Sequence, residues 1–551
     1  MTTQLESTDR DFGWSDADWP ATTVHDALRR ALERWGREHV AFEYVDEDAR
    51  LTLGDLEDRS REWATALLGA GIEPGDRVAV ALPGDSLWPS LQVAISLLGA
   101  IVVGVNTRYG RHELTQVLGS SEPRVVIATG NVAGWAFGDR LAPVLADLPR
   151  PPLTVIARGD APLGVDLIAR GDAPLGVDWV PAAEFLARSA GDAEALVARA
   201  AAVRPDDTAL IQYTSGSTAE PKGVELTHDA MLTTAFEVMA AAGYEPGDVV
   251  YSALPFYHIG GSICTGPGAL ACGATMVVPR VYSDEGSVRD MVRLGCNCEQ
   301  GHAAMFTMQI EAARKLGLLG DLRLRKGWIA APPSTMRRIV DEFGMDGLVP
   351  VYGMSEYGLT TAGPLSDPVD ARIEGIGLPV PGTEVRIAGD AGPRGPGEIQ
   401  VRGRQLMTRY FGDPEATATA LTEDGWFKSG DLASWGEDGR LHFAGRVKEM
   451  IKPGGENVSA LEVEEFLIAH PSIDSVVVIG IADARLGEAP GAVVVLAVGE
   501  SLELADLEAF CAERLARFKV PRALFVEAAM PMLANGKVDR ALLARRYRDA
   551  G

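Results

Sequence analysis

Tyr213-Thr214-Ser215-Gly216-Ser217-Thr218-Ala219-Glu220-Pro221-Lys222-Gly223-Val224 follows directly on the apolar run Ala209-Leu210-Ile211-Gln212. A short strand therefore empties into a loop that carries four hydroxyl side chains, glycines and one lysine. That combination suits phosphate. Hydroxyl and backbone N–H groups donate to the oxygens, and the ammonium neutralises charge. The loop is not a Walker A sequence, because the G-x-x-x-x-G-K spacing is absent. Any one of these residues alone would be an ordinary polar surface position; their grouping after a strand sets them apart.

Working outward, the flanks alternate strand-like and helix-like pieces. Thr23 to Arg37 has helical spacing, Val40 to Tyr44 reads as a strand, Leu56 to Leu68 as an amphipathic helix and Arg77 to Leu82 as a short apolar strand. Such alternation implies an α/β sheet and continues to about Gly347. The run Leu91 to Val105 is shorter than the ~20 residues a membrane helix needs. It reads as a buried helix running into a strand, and no membrane span is expected. After Arg372 short strands and Gly/Pro turns take over, with strands at Glu384 to Ile387 and Glu398 to Val401. From Arg446 onward a further α+β unit is expected. Its strands are Ser475 to Ile481 and Ala492 to Ala497, and its helices are Ala460 to Ala469 and Ala505 to Phe518. Ser459 and Glu462 have the spacing of a capping box at the first of these helices. Ala157 to Asp166 recurs without change as Ala169 to Asp178. Two short copies do not make a repeat architecture, which needs three or more stacked units, and the segment reads as a tolerant surface loop.

The chain has 551 residues, 51 Lys+Arg against 77 Asp+Glu, and a formal charge of −26. Its length implies a large domain and at least one more. The charge argues against a general nucleic-acid binder, whose affinity rests on cations. It leaves room for an anionic ligand held by a few placed cations. Cys264, Cys272, Cys296, Cys298 and Cys511 are too few for a disulfide scaffold and read as reduced cytoplasmic thiols. Cys296 and Cys298 with His302 lack a second cysteine pair at zinc spacing, so no zinc is expected. The polar, acidic N-terminus does not have the pattern of a signal peptide.

The 213–224 loop closely resembles the T-S-G-[ST]-T-G-x-P-K-G signature of the adenylate-forming superfamily, which includes acyl-CoA synthetases, peptide-synthetase adenylation domains and luciferases. Ala219 departs from the usual glycine. The resemblance extends over nearly the whole chain, with further motifs in the expected order. It implies an α/β protein with a large N-terminal domain of packed α/β subdomains plus a small β subdomain (1–445). A hinge (446–448) and a small mobile α+β C-terminal lid domain (449–551) follow.

By this resemblance Thr214, Ser215, Gly216, Ser217, Thr218 and Lys222 hold the phosphates of ATP. Ala331 and Pro332 lie beside adenine, with Ala330 where a glycine is usual. Tyr352-Gly353-Met354-Ser355-Glu356 resembles Y-G-x-T-E: Tyr352 lies against adenine, Ser355 touches the α-phosphate and Glu356 binds Mg²⁺. A hydrolase elbow, G-x-S-x-G, fails over Gly353 to Tyr357 at its second glycine. Ser429-Gly430-Asp431 resembles T-G-D, with Asp431 on the ribose hydroxyls, and Arg446 also contacts the nucleotide. Lys448 matches the hinge position. Lys452, Gly454 and Gly455 would face an acceptor tunnel. Asn535-Gly536-Lys537 resembles the catalytic-lysine loop, where an ammonium stabilises charge developing in the adenylation step. Pro255-Phe256-Tyr257-His258 resembles P-[LF]-F-H, with His258 as a gate between acyl pocket and thiol entrance. Outside the resemblance, a lone histidine after aromatics reads as a core residue.

The substrate pocket should draw on His258, Gly301, His302, Ala330, Met354 and Leu359. His302 stands in an otherwise apolar wall. It suggests a substrate with a polar or anionic group, or else a bond to a neighbouring backbone carbonyl. The expected function is an ATP-dependent carboxylic acid–CoA ligase that forms an acyl adenylate and releases pyrophosphate and AMP. Two other readings stay open. One is adenylation with a non-CoA acceptor, such as amide formation or nitrite-activating diazotisation of an aryl amine in natural-product biosynthesis. The other is a silent nucleotide-binding relative. A small-molecule acid is the expected partner, and a homodimer is compatible with the resemblance.

Overall fold

The apolar run before the hydroxyl-rich loop forms the strand Thr208–Thr214, which turns back antiparallel into Lys222–Thr227. A computed structural model describes residues 3–5, 20–132, 134–150, 152, 154–158, 178–188, 192–214, 221–389, 395–453, 458–483, 485–512, 515–532 and 538–548. Ser215, Gly216, Ser217, Thr218, Gly454, Gly455 and Lys537 lie outside the described residues, as does most of the duplicated segment.

This hairpin belongs to an eight-stranded sheet that runs from Asp178–Pro181 at one edge to Arg409–Tyr410 at the other. Its central strands, Arg77–Ala81, Ile101–Gly104 and Val125–Thr129, are parallel and almost wholly buried. Strands covered on both faces read as continuous apolar runs, and these do. Leu91 to Val105 is the buried helix and strand expected from it: a helix Leu87–Leu97, then the strand Ile101–Gly104. The duplicated residues join Thr154–Arg158 to Asp178–Pro181, two parallel strands at the sheet's outer edge. A parallel pair needs a crossover of about a dozen residues or more, so the second copy supplies chain length at this point.

A nine-stranded sheet carries the parallel strands Val249–Ser252, Cys298–His302, Lys326–Ala330 and Gly347–Met354. A five-stranded antiparallel sheet follows the text change near Arg372. It includes Thr383–Ala388, Gly397–Gly403, Phe427–Trp435 and Leu441–Arg446, with Thr3–Leu5 at its edge. Helix starts follow their caps. Thr23 Oγ1 accepts from the Asp26 N–H before Val24–Trp35, and Thr52 with Asp55 closes a full capping box before Leu53–Gly69.

Beyond the turn Val447–Glu449 lies a smaller unit. Ile473–Asp483, Gly487–Leu496 and Ala523–Val526 form its sheet, and Ala460–Leu467, Leu504–Ala512 and Arg540–Tyr547 are helices. Two expectations need correction here. The second helix stops at Ala512 rather than reaching Phe518; Leu515 and Phe518 still pack on the core, from a turn. The capping box at Ser459 is half formed. Ser459 Oγ accepts from the Glu462 N–H at 3.2 Å, but the Glu462 carboxylate is drawn to the Lys519 ammonium at 2.5 Å. Within this unit, the Glu464 carboxylate accepts from Arg540 (2.5 Å) and from the Val478 N–H (2.6 Å). Met532 pairs with Val538 across the ends of the 533–537 loop.

Candidate active site

Strand pairing puts Thr214 opposite Lys222. The hairpin's second strand pairs in turn with Arg409–Tyr410, setting Tyr410 opposite Val224. The Lys222 ammonium lies 5.0 Å from the centre of the Tyr410 ring. The Tyr410 hydroxyl donates to Glu356 Oε1 at 2.8 Å. Burial and the adjoining Glu356 carboxylate raise the Tyr410 phenol, which keeps it a donor.

Glu356 follows the Gly347–Met354 strand, and its backbone carbonyl accepts from the Met407 N–H. Gly353 is required here: a Cβ would lie 2.1 Å from the Gly358 carbonyl oxygen. Ser355 is buried and Met354 half-buried, while Leu359 lies in the core. The Tyr352 hydroxyl donates to Asp431 Oδ2 at 2.8 Å, and its ring stands 6.1 Å from that of Phe443. Asp431 and Arg446 are register partners on neighbouring strands, and Arg446 Nε lies 3.1 Å from Asp431 Oδ1. Both carboxylate oxygens of Asp431 are therefore engaged. Two lines of contact result, Lys222–Tyr410–Glu356 and Tyr352–Asp431–Arg446, both starting from the short segment 352–356.

The remaining candidates lie around this line. His258 is exposed rather than a core residue, and its Nδ1 accepts from the Gly260 N–H at 3.2 Å. Gly261 lets the following π-helix, Gly260–Thr265, pack on Pro255 and Phe256, since a Cβ would come within 2.4 Å of their backbone. Gly301 and His302 end one strand, Ala330 ends its neighbour, and His302 faces Ala330 in register. His302 is half-buried at the N-cap of Ala303–Leu316. Ala331 and Pro332 lead into the helix Pro333–Phe343, whose Ser334 donates to Glu465 of the C-terminal unit at 3.3 Å. Lys448 lies exposed in the Val447–Glu449 turn. Lys452 is exposed, and its backbone N–H donates to Glu488 at 2.8 Å.

Cys296 and Cys298 pack into different cores, and no group of three His, Cys, Asp or Glu side chains gathers for a metal among the described residues. Burial raises both thiols, which keeps them protonated. For Mg²⁺ the donor set among the described residues is one half-buried carboxylate, Glu356, held by Tyr410. That fits a small hard cation completed by phosphate oxygens and water.

Residues 28–411 match the family model described as AMP-binding enzyme, residues 462–537 match the AMP-binding enzyme C-terminal domain, and the chain belongs to this family. It is an AMP-forming ligase. It is 34% identical to the (7a-methyl-1,5-dioxo-octahydro-1H-inden-4-yl)propanoyl:CoA ligase of Mycobacterium tuberculosis, over 95% of this chain and 98% of that protein. It is 30% identical to the sulfoacetate–CoA ligase of Cupriavidus necator, over 90% and 93%. Among solved structures it is similar to the amide bond synthetase McbA from Marinactinospora thermotolerans. The TM-score is 0.77 with 25% identity, covering 95% of this chain and 100% of that one.

Proposed function

We propose that this ligase joins a small-molecule carboxylic acid to CoA through an acyl adenylate. The observation that supports the reading is that segment 352–356 takes part in both contact lines, Lys222–Tyr410–Glu356 and Tyr352–Asp431–Arg446. Thr214, Lys222 and the 215–218 loop hold the triphosphate. Tyr352, Ala331 and Pro332 flank adenine, and Asp431 with Arg446 holds the ribose. Ser355 approaches the α-phosphate. Glu356 would hold Mg²⁺, which would supply charge neutralisation on the phosphates.

The acid's carboxylate oxygen bonds to the α-phosphorus, and the bond to pyrophosphate breaks. Lys537 stabilises the charge that builds on the oxygens between them. Rotation of the C-terminal unit about the hinge at 446–448, centred on Lys448, then withdraws Lys537. A path past His258, Lys452, Gly454 and Gly455 opens for the thiol. Sulfur bonds to the acyl carbon, the thiol proton is lost, and AMP leaves. A cytoplasmic setting suits the five free, buried cysteines.

Lys537→Ala should lower acid-dependent pyrophosphate release by about 100-fold, or ~3 kcal/mol, while sparing ATP binding. Unchanged turnover would remove the assignment. A second reading, amide formation on an amine acceptor, is favoured by the likeness to McbA. Pyrophosphate release from a panel of acids and nitrite, each with CoA or an aryl amine, separates the two. Product that needs the amine rather than CoA selects the second reading.

A further inference from the structure

Two strand residues before His302 and Ala330, a buried carboxamide bridges the indole of the neighbouring strand and two hydroxyls. Side chains alternate along a strand, so Gln300 lies on the same face as His302, and Trp328 on the same face as Ala330. Gln300 pairs with Trp328 in register. Gln300 is fully buried and Trp328 is 8% exposed. The Trp328 indole N–H donates to Gln300 Oε1 at 2.9 Å. The Gln300 amide donates to Ser252 Oγ at 2.9 Å and to Thr265 Oγ1 at 3.0 Å. Those two hydroxyls bond each other at 2.7 Å, and Thr265 Oγ1 also donates to the Gly260 carbonyl at 3.0 Å. Gly260 lies two residues from His258, so the network ties the pocket's floor to its gate.

We propose that Trp328, locked by Gln300, sets the depth of the acid pocket and restricts the enzyme to compact acids. This rests on the acid-activating reading given above. The carboxamide has two N–H groups and one oxygen to satisfy, and all three are engaged. An alkyl chain entering past His302 and Ala330 meets the indole after two strand residues, ~7 Å at the usual rise. Pushing further would unmake bonds to buried groups that the chain cannot replace. Nothing comparable hinders a short acid held at the mouth, and the floor therefore selects by length.

The test is acid-dependent exchange of labelled pyrophosphate into ATP, which needs no acceptor. Straight-chain acids from acetate to decanoate are compared in the wild type, Trp328→Leu and Trp328→Phe. The wild type should lose about 100-fold in kcat/KM between butyrate and octanoate. Trp328→Leu should narrow the butyrate-to-octanoate ratio in kcat/KM to within about tenfold. Trp328→Phe, which keeps the bulk, should retain the cutoff. Octanoate turned over as well as butyrate by the wild type overturns the proposal. So does a folded Trp328→Leu with an unmoved cutoff. If Trp328→Leu does not fold, the wild-type series alone decides. Absence of exchange with every acid removes the reading of the site itself, whereas exchange without a cutoff leaves that reading standing and removes only the floor.

Discussion

Tyr410 shows how one side chain can serve two halves of a site. Its ring lies against the Lys222 ammonium, and its hydroxyl holds Glu356. Tyr410→Phe keeps the ring and loses the hydroxyl. A hydrogen bond to a charged group is worth ~1.5 kcal/mol or more, so kcat for pyrophosphate exchange should fall about tenfold with KM for ATP little changed. Tyr410→Leu should also raise KM, since the cation loses its aromatic face. Equal kinetics for the Phe variant and the wild type would show that Glu356 needs no such support. Tyr410 was invisible in the sequence. Lys222, Glu356, Asp431 and Arg446 sit in short motifs whose residue types announce charge and phosphate chemistry. Tyr410 acquires its role only through strand register with a segment far away in the chain, and no local pattern encodes that. Gln300 and Trp328 were missed for the same reason. His258 lies at the surface despite its aromatic neighbours, with its Nδ1 accepting from the Gly260 N–H.

The strand Cys298–His302 bears Gln300 and His302 on one face and a fully buried carboxyl, Glu299, on the other. Burial pushes Glu299 up to about 8. The ordinary value is 4.5. Below that pH, folded and unfolded chains both hold the proton. Between it and about 8 the unfolded carboxyl ionises while the folded one stays protonated, so unfolding releases a proton and stability falls as pH rises. Above the folded value the loss levels off. Glu299→Gln keeps the shape and removes the slope. Its advantage over the wild type should be small near pH 5 and grow to roughly a few kcal/mol near pH 8. Urea unfolding at the two pH values checks this; an equal difference at both would refute it. At this scale the sequence was more legible. Strands buried on both faces appeared as continuous apolar runs, and Thr23 marked a true helix start. It misled where an apolar pattern outlived its helix, at Leu515 and Phe518, because burial from a turn leaves the same spacing as burial from a helix.

Over the whole molecule, a charge of −26 coexists with a site for polyanionic ligands. Lys222 and Arg446 are placed against that field by an aromatic ring and a carboxylate, so binding depends on position rather than total charge. The two sheet edges divide the labour. The Arg409–Tyr410 edge meets the site, and the Thr154–Arg158 and Asp178–Pro181 edge carries the duplicated connection. Seven strand spacings, ~34 Å, lie between the outermost strands. Doubling a long connection costs only ~0.6 kcal/mol. A Gly/Ser-rich insert between Asp166 and Leu167 should therefore leave thermal unfolding and pyrophosphate exchange close to wild type, and a collapse of either would show that the connection is under constraint. The duplication thereby becomes a handle. A fluorophore, a surface tether or a partner enzyme fused at that point would enter the chain between the two strands at the opposite edge of the sheet from Arg409–Tyr410.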